Sequence, residues 1–221
     1  YTFQFGINIP CPGTPTVEYE GQVYNTVQIF SQCWLKENLN VGTMIPGDQN
    51  MNDDGMIEKY CCENEPDSCD KYGGLYQWNE MMQCTIQGSV QGICPPGWHL
   101  PSDREWMVLE GAVDSQFGIG DDEWNGYGYR GEDAGYRLKS DNGWLYTGNG
   151  IDLFGFTSLP GGERNPNGYF TYVGHVSPFW TSSEAGINVS WGHNLSAGST
   201  FAGRNDFNRE AGFGVRCLKD Y

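Results

Sequence analysis

The stretch CPPGWHLPSDREWMVLEGAVDSQ, residues 94–116, decides the fold class. Its proline-rich start, residues 94–101, predicts a rigid extended segment, because a residue before proline avoids the helical conformation. Ser102 and Glu105 have the spacing of a capping box, which predicts the start of a helix. Apolar residues then recur at helical spacing, namely Trp106, Leu109 and Val113. We therefore expect a helix that ends near Gln116.

On either side of this helix the chain predicts mostly strands. Alternation around Gly21 in residues 17–24 is typical of a β-hairpin. Residues 75–82 have apolar side chains at helical spacing and predict a second helix. The remaining strand candidates are residues 137–139, 154–156, 169–172, 179–181, 189–191 and 213–216. Two helices with short, mostly antiparallel strands and long loops predict an α+β fold.

Domain organisation follows from the composition of the N-terminal region. Residues 1–16 contain three prolines and predict an extended lead-in or linker, and residues 17–221 then form one domain. The chain does not begin with Met, so we interpret it as a processed chain whose signal peptide is not shown. No apolar run approaches membrane-spanning length.

The composition argues against nucleic-acid partners and indicates which residues build the core. Acidic residues outnumber basic ones 28 to 12, and the formal net charge of −16 repels phosphate backbones. We therefore do not expect this chain to bind nucleic acid. Hydrophobic residues make up only 38% of the chain, so Trp, Tyr and Phe must supply much of the core.

The eight cysteines indicate disulfides and an oxidising compartment. Their number is even, and no CxxC pair or clustered histidine favours zinc. Cys61 and Cys69 have a spacing that can close a short loop, but eight cysteines allow 105 connectivities. Disulfides place the protein outside the cytoplasm. The cysteines are Cys11, Cys33, Cys61, Cys62, Cys69, Cys84, Cys94 and Cys217.

Several strings together resemble one known family, the Fibrobacter succinogenes major paralogous domain, which occurs in secreted and surface proteins of Bacteroidota and Fibrobacterota. The resemblance covers about residue 16 to the C-terminus. The strings that carry it are VYNTVQI (23–29), CWLKENL (33–39), YGGLYQW (72–78), GICPPGWHLP (92–101), LPGGERN (159–165), FWTSSE (179–184) and GFGVRCL (212–218).

This resemblance implies a fold and a set of disulfides. The family is similar to C-type lectin-like and formylglycine-generating-enzyme-like folds, so we expect a C-type lectin-like scaffold. The bridges that the resemblance implies are Cys11–Cys33, Cys61–Cys69 and Cys94–Cys217, which leaves Cys62–Cys84 as a fourth. The family implies no activity, and the intact calcium-site tripeptides of sugar-binding C-type lectins are missing, because Arg204 rather than Trp precedes Asn205-Asp206.

Two polar and aromatic segments, at 120–133 and 186–210, are the candidates for ligand-binding loops. Exposed aromatic rings beside amides and charged groups are typical of glycan recognition, and ordinary loops with half-buried aromatics are the alternative. The acidic clusters Asp53-Asp54 and Asp121-Asp122-Glu123 make calcium the candidate cofactor. The candidate ligand-binding residues are Trp124, Tyr127, Tyr129, Trp191, His193, Asn194, Arg204, Asn205, Asp206, Asn208 and Arg209.

We therefore expect a secreted or cell-surface recognition domain that binds glycan or protein ligands without catalysis. Three alternatives remain, and the first two are a structural subunit or tip of a surface fibre that contacts neighbouring subunits, and a binding protein diversified by retroelements within 186–210. A polysaccharide-active enzyme is the last alternative. No G-x-S-x-G motif is present, and among 28 acidic residues a suitably spaced carboxylate pair carries no weight.

Overall fold

The N-terminal hairpin forms as predicted. The computed structural model describes residues 8–52, 54–85 and 90–220. Strands β1 (Thr16–Tyr19) and β2 (Gln22–Ile29) pair antiparallel across a two-residue turn. Glu20 and Gly21 both have positive φ in this turn, at 48° and 74°, as the tight turns of β-hairpins require.

The central helix also begins as predicted. Helix α3 spans Asp103–Val113, and Ser102 caps it: the Ser102 side chain accepts from the Glu105 amide, and the Glu105 side chain accepts from the Ser102 amide. The helix ends at Val113, three residues before the predicted end, because the Asp114 carboxylate accepts from the backbone amides of Gln116 and Phe117 and holds a turn there.

The described part of the chain contains four α-helices and fifteen short strands in all. The other helices are α1 (Pro66–Tyr72), α2 (Trp78–Met81) and α4 (Ala134–Leu138). The remaining strands are β3 (Gln32–Leu35), β4 (Thr43–Met44), β5 (Glu58–Lys59), β6 (Leu75–Tyr76), β7 (Trp98–His99), β8 (Gly128–Arg130), β9 (Glu163–Arg164), β10 (Phe170–Thr171), β11 (Val176–Gly186), β12 (Val189–Ser196), β13 (Ala202–Asn208), β14 (Phe213–Gly214) and β15 (Leu218–Lys219).

Two antiparallel-dominated sheets organise the molecule. One has five strands in the order β1-β2-β3-β15-β7, so the last strand of the chain pairs with β3 and β7. The other has six strands in the order β6-β14-β11-β12-β13-β8, in which only the β11–β14 pair is parallel. The strand pairs β4–β5 and β9–β10 complete the described architecture. The α+β prediction is confirmed.

Aromatic side chains supply much of the core, as the composition indicates. Trp34, Trp106, Phe156 and Phe179 pack in one buried cluster, with the Trp34 and Trp106 ring centroids 5.0 Å apart. A second cluster surrounds Trp180, whose ring stacks on Phe213.

Three disulfides confirm three of the four predicted pairs. They join Cys11 to Cys33, Cys61 to Cys69, and Cys94 to Cys217. The predicted Cys62–Cys84 bridge is wrong, because the two residues lie in different environments. Cys62 is buried at the start of a 3₁₀ turn, whereas Cys84 is exposed in the turn after α2. Burial raises the pKa of the Cys62 thiol to about 11, so it remains protonated at neutral pH.

Three secondary-structure predictions are corrected. The predicted helix at 75–82 is reduced to α2, because Leu75 and Tyr76 pair with β14 as strand β6. The predicted strand at 137–139 overlaps the end of α4, and residues 154–156 form a turn in which Gly155 has a φ of 75°. Within the described ranges, no helix is both long and apolar enough to cross a membrane.

Candidate functional site

The two segments predicted to be ligand-binding loops lie side by side as strands. Within 120–133, β8 pairs with β13, with Tyr129 opposite Gly203. Within 186–210, β12 and β13 form an antiparallel pair, with His193 opposite Arg204. The loop assignment of 186–210 is therefore wrong, but the structure brings the two segments together. Because side chains alternate between the two faces of a strand, the candidate residues divide into two groups.

One group faces inward, toward α3, and includes residues predicted as ligand contacts. His193 is 2% exposed, and Trp124 is 2% exposed with its Nε1 donating to the Gly118 carbonyl. Arg204 is also buried, and its Nε and Nη2 atoms donate to the two Asp103 carboxylate oxygens, each at 2.7 Å. Their burial indicates a structural role for these three residues and gives no support to the predicted ligand contacts.

His193 lies at the centre of a buried charge network, which comprises Asp103, Glu110, Arg130, His193 and Arg204. The imidazole Nδ1 is 2.7 Å from Glu110 Oε1, and Nε2 is 3.1 Å from Asp103 Oδ1. Arg130 Nη2 donates to the other Glu110 oxygen at 2.6 Å. Burial alone would raise the pKa of Asp103, but hydrogen bonds from Arg204 and His193 hold it below its usual range. The network fastens both ends of α3 to β8, β12 and β13.

Trp191 and Tyr127 form an aromatic pair at the edge of this inward face. Their ring centroids lie 5.3 Å apart, and the Arg204 guanidinium carbon lies 3.5 Å from the Trp191 centroid. The Tyr127 hydroxyl accepts a hydrogen bond from the Asp206 amide. Tyr127 remains 59% exposed, but Arg204 already stacks on the Trp191 ring. Of the pair, Tyr127 therefore offers the accessible aromatic surface.

The second group faces outward and lines a groove. Tyr129, Gly203, Asn194 and Pro178 lie in register across β8, β13, β12 and β11. Since neighbouring strands are about 4.8 Å apart, this row spans about 14 Å. The groove has a volume of about 280 Å³. We call it the sheet groove, and its lining residues are Glu163, Tyr172, Val176, Pro178, Asn194, Asn205 and Phe207.

The polar atoms of the sheet groove are placed for hydrogen bonding. The Asn194 amide nitrogen donates to the Tyr129 hydroxyl at 3.4 Å, whereas Asn194 Oδ1 is buried without a hydrogen bond. Burial raises the pKa of Glu163 above its ordinary value. Tyr172 is 60% exposed, so its ring offers an apolar surface beside these groups. A neutral ligand that carries both apolar faces and hydroxyl groups fits this combination.

Five groove residues were not predicted from the sequence as ligand contacts, namely Glu163, Tyr172, Val176, Pro178 and Phe207. Tyr172 is the last residue of the strand candidate 169–172, where alternation alone gave no reason to assign a role. Glu163 lies in the LPGGERN string, far in sequence from β12 and β13. Phe207 was passed over between its polar neighbours, yet its ring packs against Trp180 and Phe213.

Asn208 and Arg209 lie neither on the inward face nor in the sheet groove. They line a second cavity of about 380 Å³. Arg209 lies over the Trp78 ring at 4.1 Å and donates to Glu184 at 2.6 Å. We call this cavity the amide pocket after the carboxamides that line it, namely Asn50, Asn52, Gln77, Asn79, Asn188 and Asn208.

The acidic cluster at 121–123 is occupied with local hydrogen bonds. The Asp121 carboxylate accepts from the Glu123 amide, and Glu123 accepts from the Gly131 amide. Asp122 accepts from the Asn125 side chain at 3.4 Å. In the other cluster, Asp53 lies outside the described residues. No group of three or more His, Cys, Asp and Glu side chains that could hold a metal occurs among residues 8–52, 54–85 and 90–220. Calcium binding stays a prediction.

Comparison with known proteins gives the family. The model of the Fibrobacter succinogenes major domain matches residues 27–219. None of the curated proteins and none of the solved structures matches the chain. The expected relation to C-type lectin-like folds therefore stays a prediction. Because the family model covers most of the sequence, the chain belongs to the Fibrobacter succinogenes major domain family.

Proposed function

We propose that this chain is a non-catalytic recognition domain that binds a glycan in the sheet groove. The observation that carries the proposal is the convergence of Asn194, Asn205 and Glu163 with Tyr172 on one outward face. Carboxamides both donate and accept hydrogen bonds, and a carboxylate accepts two or more, so these groups suit the hydroxyls of a sugar. An aromatic ring beside them suits the apolar face of a pyranose.

The groove lies on a rigid support, which favours binding over turnover as its role. Asn194 and Asn205 are on neighbouring strands that the buried charge network fastens to α3. Preorganised side chains lose little conformational entropy when a ligand binds. We propose that the scaffold is a C-type lectin-like one and that the protein acts outside the cytoplasm, which the three disulfides support.

A glycan array, read with and without calcium, tests the proposal. We expect saturable binding that Asn205→Ala and Tyr172→Asn both reduce at least tenfold, with no oligosaccharide released from the bound polysaccharide. Asn is chosen at 172 because Tyr172 has a φ of 64°, which asparagine tolerates.

Phe30→Asn is the matched control. Phe30 is 65% exposed and has a φ of 55°, so the substitution likewise replaces an exposed aromatic ring by asparagine, in the turn between β2 and β3 on the other sheet. Binding that Phe30→Asn reduces as much as Tyr172→Asn, or a complete lack of glycan binding, would contradict a glycan site in the groove.

A further inference from the structure

The amide pocket is a built cavity that the sheet groove does not explain. It lies where the loop at residues 50–52, helix α2 and the turn after β13 meet. Its volume of about 380 Å³ is within the roughly 300–1,000 Å³ of small-molecule sites.

Gln77 fixes the three walls of this pocket relative to one another. Its side-chain oxygen accepts from the Met51 amide at 2.9 Å, and its side-chain nitrogen donates to Asn50 Oδ1 and to the Glu210 carbonyl. Its backbone amide donates to the Met51 sulfur at 3.3 Å. Gln77 is 7% exposed, so these bonds are shielded from water. Met51 is therefore held in place as an apolar wall of the pocket.

The remaining carboxamides leave hydrogen-bonding capacity at the rim. Asn79 and Asn188 are exposed, and their side-chain amides make no hydrogen bond to any other residue of the described ranges. A carboxamide presents a donor and an acceptor side by side, which matches the N–H and C=O of another amide. The rim thus suits a ligand that carries an amide group.

The charges of the pocket restrict the ligand further. Arg209 is paired with Glu184, so its positive charge is compensated. Glu210 also lines the cavity and adds a negative charge at its rim. Such a field disfavours phosphates, sulfates and uronic acids. A neutral ligand with an amide group and a small apolar group remains.

We propose that the amide pocket is a second binding site, and that it takes the acetamido group of a neutral N-acetylated amino sugar. The acetamido methyl group packs on Met51, and its N–H and C=O pair with the rim carboxamides. This site is separate from the sheet groove and does not depend on it.

Triacetylchitotriose and cellotriose, trisaccharides with and without acetamido groups, form the test. We expect triacetylchitotriose to shift the backbone amide NMR signals of residues 50–52, 77–80 and 208–210 of the full chain, and cellotriose to leave them unchanged. Asn79→Ala and Met51→Ala are expected to raise the Kd for triacetylchitotriose at least tenfold, whereas Asn205→Ala, in the sheet groove, changes it less than twofold.

Two results would overturn the second site. Equal shifts with both trisaccharides would show that the acetamido group is not recognised. An affinity lost in Asn205→Ala and kept in Asn79→Ala would move the ligand to the sheet groove, which refutes the pocket while supporting the groove. If the glycan array showed no binding in the sheet groove while the NMR signals of the amide pocket still shifted, the groove would be refuted and the pocket supported.

Discussion

The bridge between Cys94 and Cys217 closes the longest of the three described disulfide loops, so its removal is expected to cost the most stability. The two residues are 123 apart in sequence, for which loop-closure entropy in the unfolded chain gives about 4.9 kcal/mol at 25 °C. Cys61 and Cys69 are 8 apart, which gives about 2.5 kcal/mol. We expect C94A/C217A to lose about 2.4 kcal/mol more free energy of unfolding than C61A/C69A.

The two double variants are a matched comparison, because all four sulfur atoms belong to buried residues. Each pair therefore loses a similar amount of packing when alanine replaces cysteine, and the difference reports the loop length. Urea titration followed by tryptophan fluorescence measures both free energies of unfolding. Equal losses, or a larger loss in C61A/C69A, would show that constraint of the unfolded chain is not what these bridges contribute.

Three further predictions concern stability and can be measured with the same titration. Asp103→Asn removes the buried carboxylate that binds the Arg204 guanidinium and contacts the His193 ring, and it is expected to cost about 3–5 kcal/mol. Asp121→Asn on the surface should stay within about 0.5 kcal/mol; similar losses would contradict a buried network. Burial alone would lower the pKa of His99, but contacts with nearby carboxylates raise it above the ordinary value of 6.5. The contribution of His99 to the free energy of unfolding is therefore complete below pH 6.5, and it is lost as the pH rises through the pKa of the folded state. The unfolding free energy should therefore fall above pH 6.5, and an unchanged slope in His99→Gln would refute this assignment. Trp124→Ala should cost about 3–5 kcal/mol as a core truncation, whereas Tyr172→Asn should leave stability nearly unchanged; a stable Trp124→Ala variant would contradict its burial.

Local signals in the sequence predicted the elements that local chemistry determines. The capping box at Ser102 and the turn at Gly21 each depend on residues within three positions, and both form as expected. The three confirmed bridges came from the family resemblance instead, because spacing alone could not choose among 105 connectivities. Cys62 is a free thiol, which shows that an even number of cysteines does not require every cysteine to form a disulfide.

Only residues 189–191 of β12 were predicted as a strand, and β13 was missed, because the sequence of both lacks the usual signals of a strand. Gly192, Asn194, Gly203 and Asn205 are depleted in strands generally, and they made the segment read as a loop. In the structure these four residues share the outward face, where the side chain of Asn194 lies over Gly203 and that of Phe207 lies over Gly192. Packing of the larger side chains therefore outweighs the low strand propensity of the glycine and asparagine residues.

Strand alternation also explains why only part of the predicted ligand-binding set can act together. Arg204 and Asn205 are neighbours in sequence, but the first binds Asp103 inside the molecule and the second lines the sheet groove. His193 and Arg204 on the inward face cannot be changed without removing a partner from a buried charge, which is costly. A residue on the outward face carries no such penalty. Diversification of the segment, if it occurs, is therefore expected at Asn194 and Asn205 and not at His193 or Arg204. Natural variants that change His193 or Arg204 freely while keeping Asn194 and Asn205 would contradict the division of β12 and β13 into a structural face and a binding face.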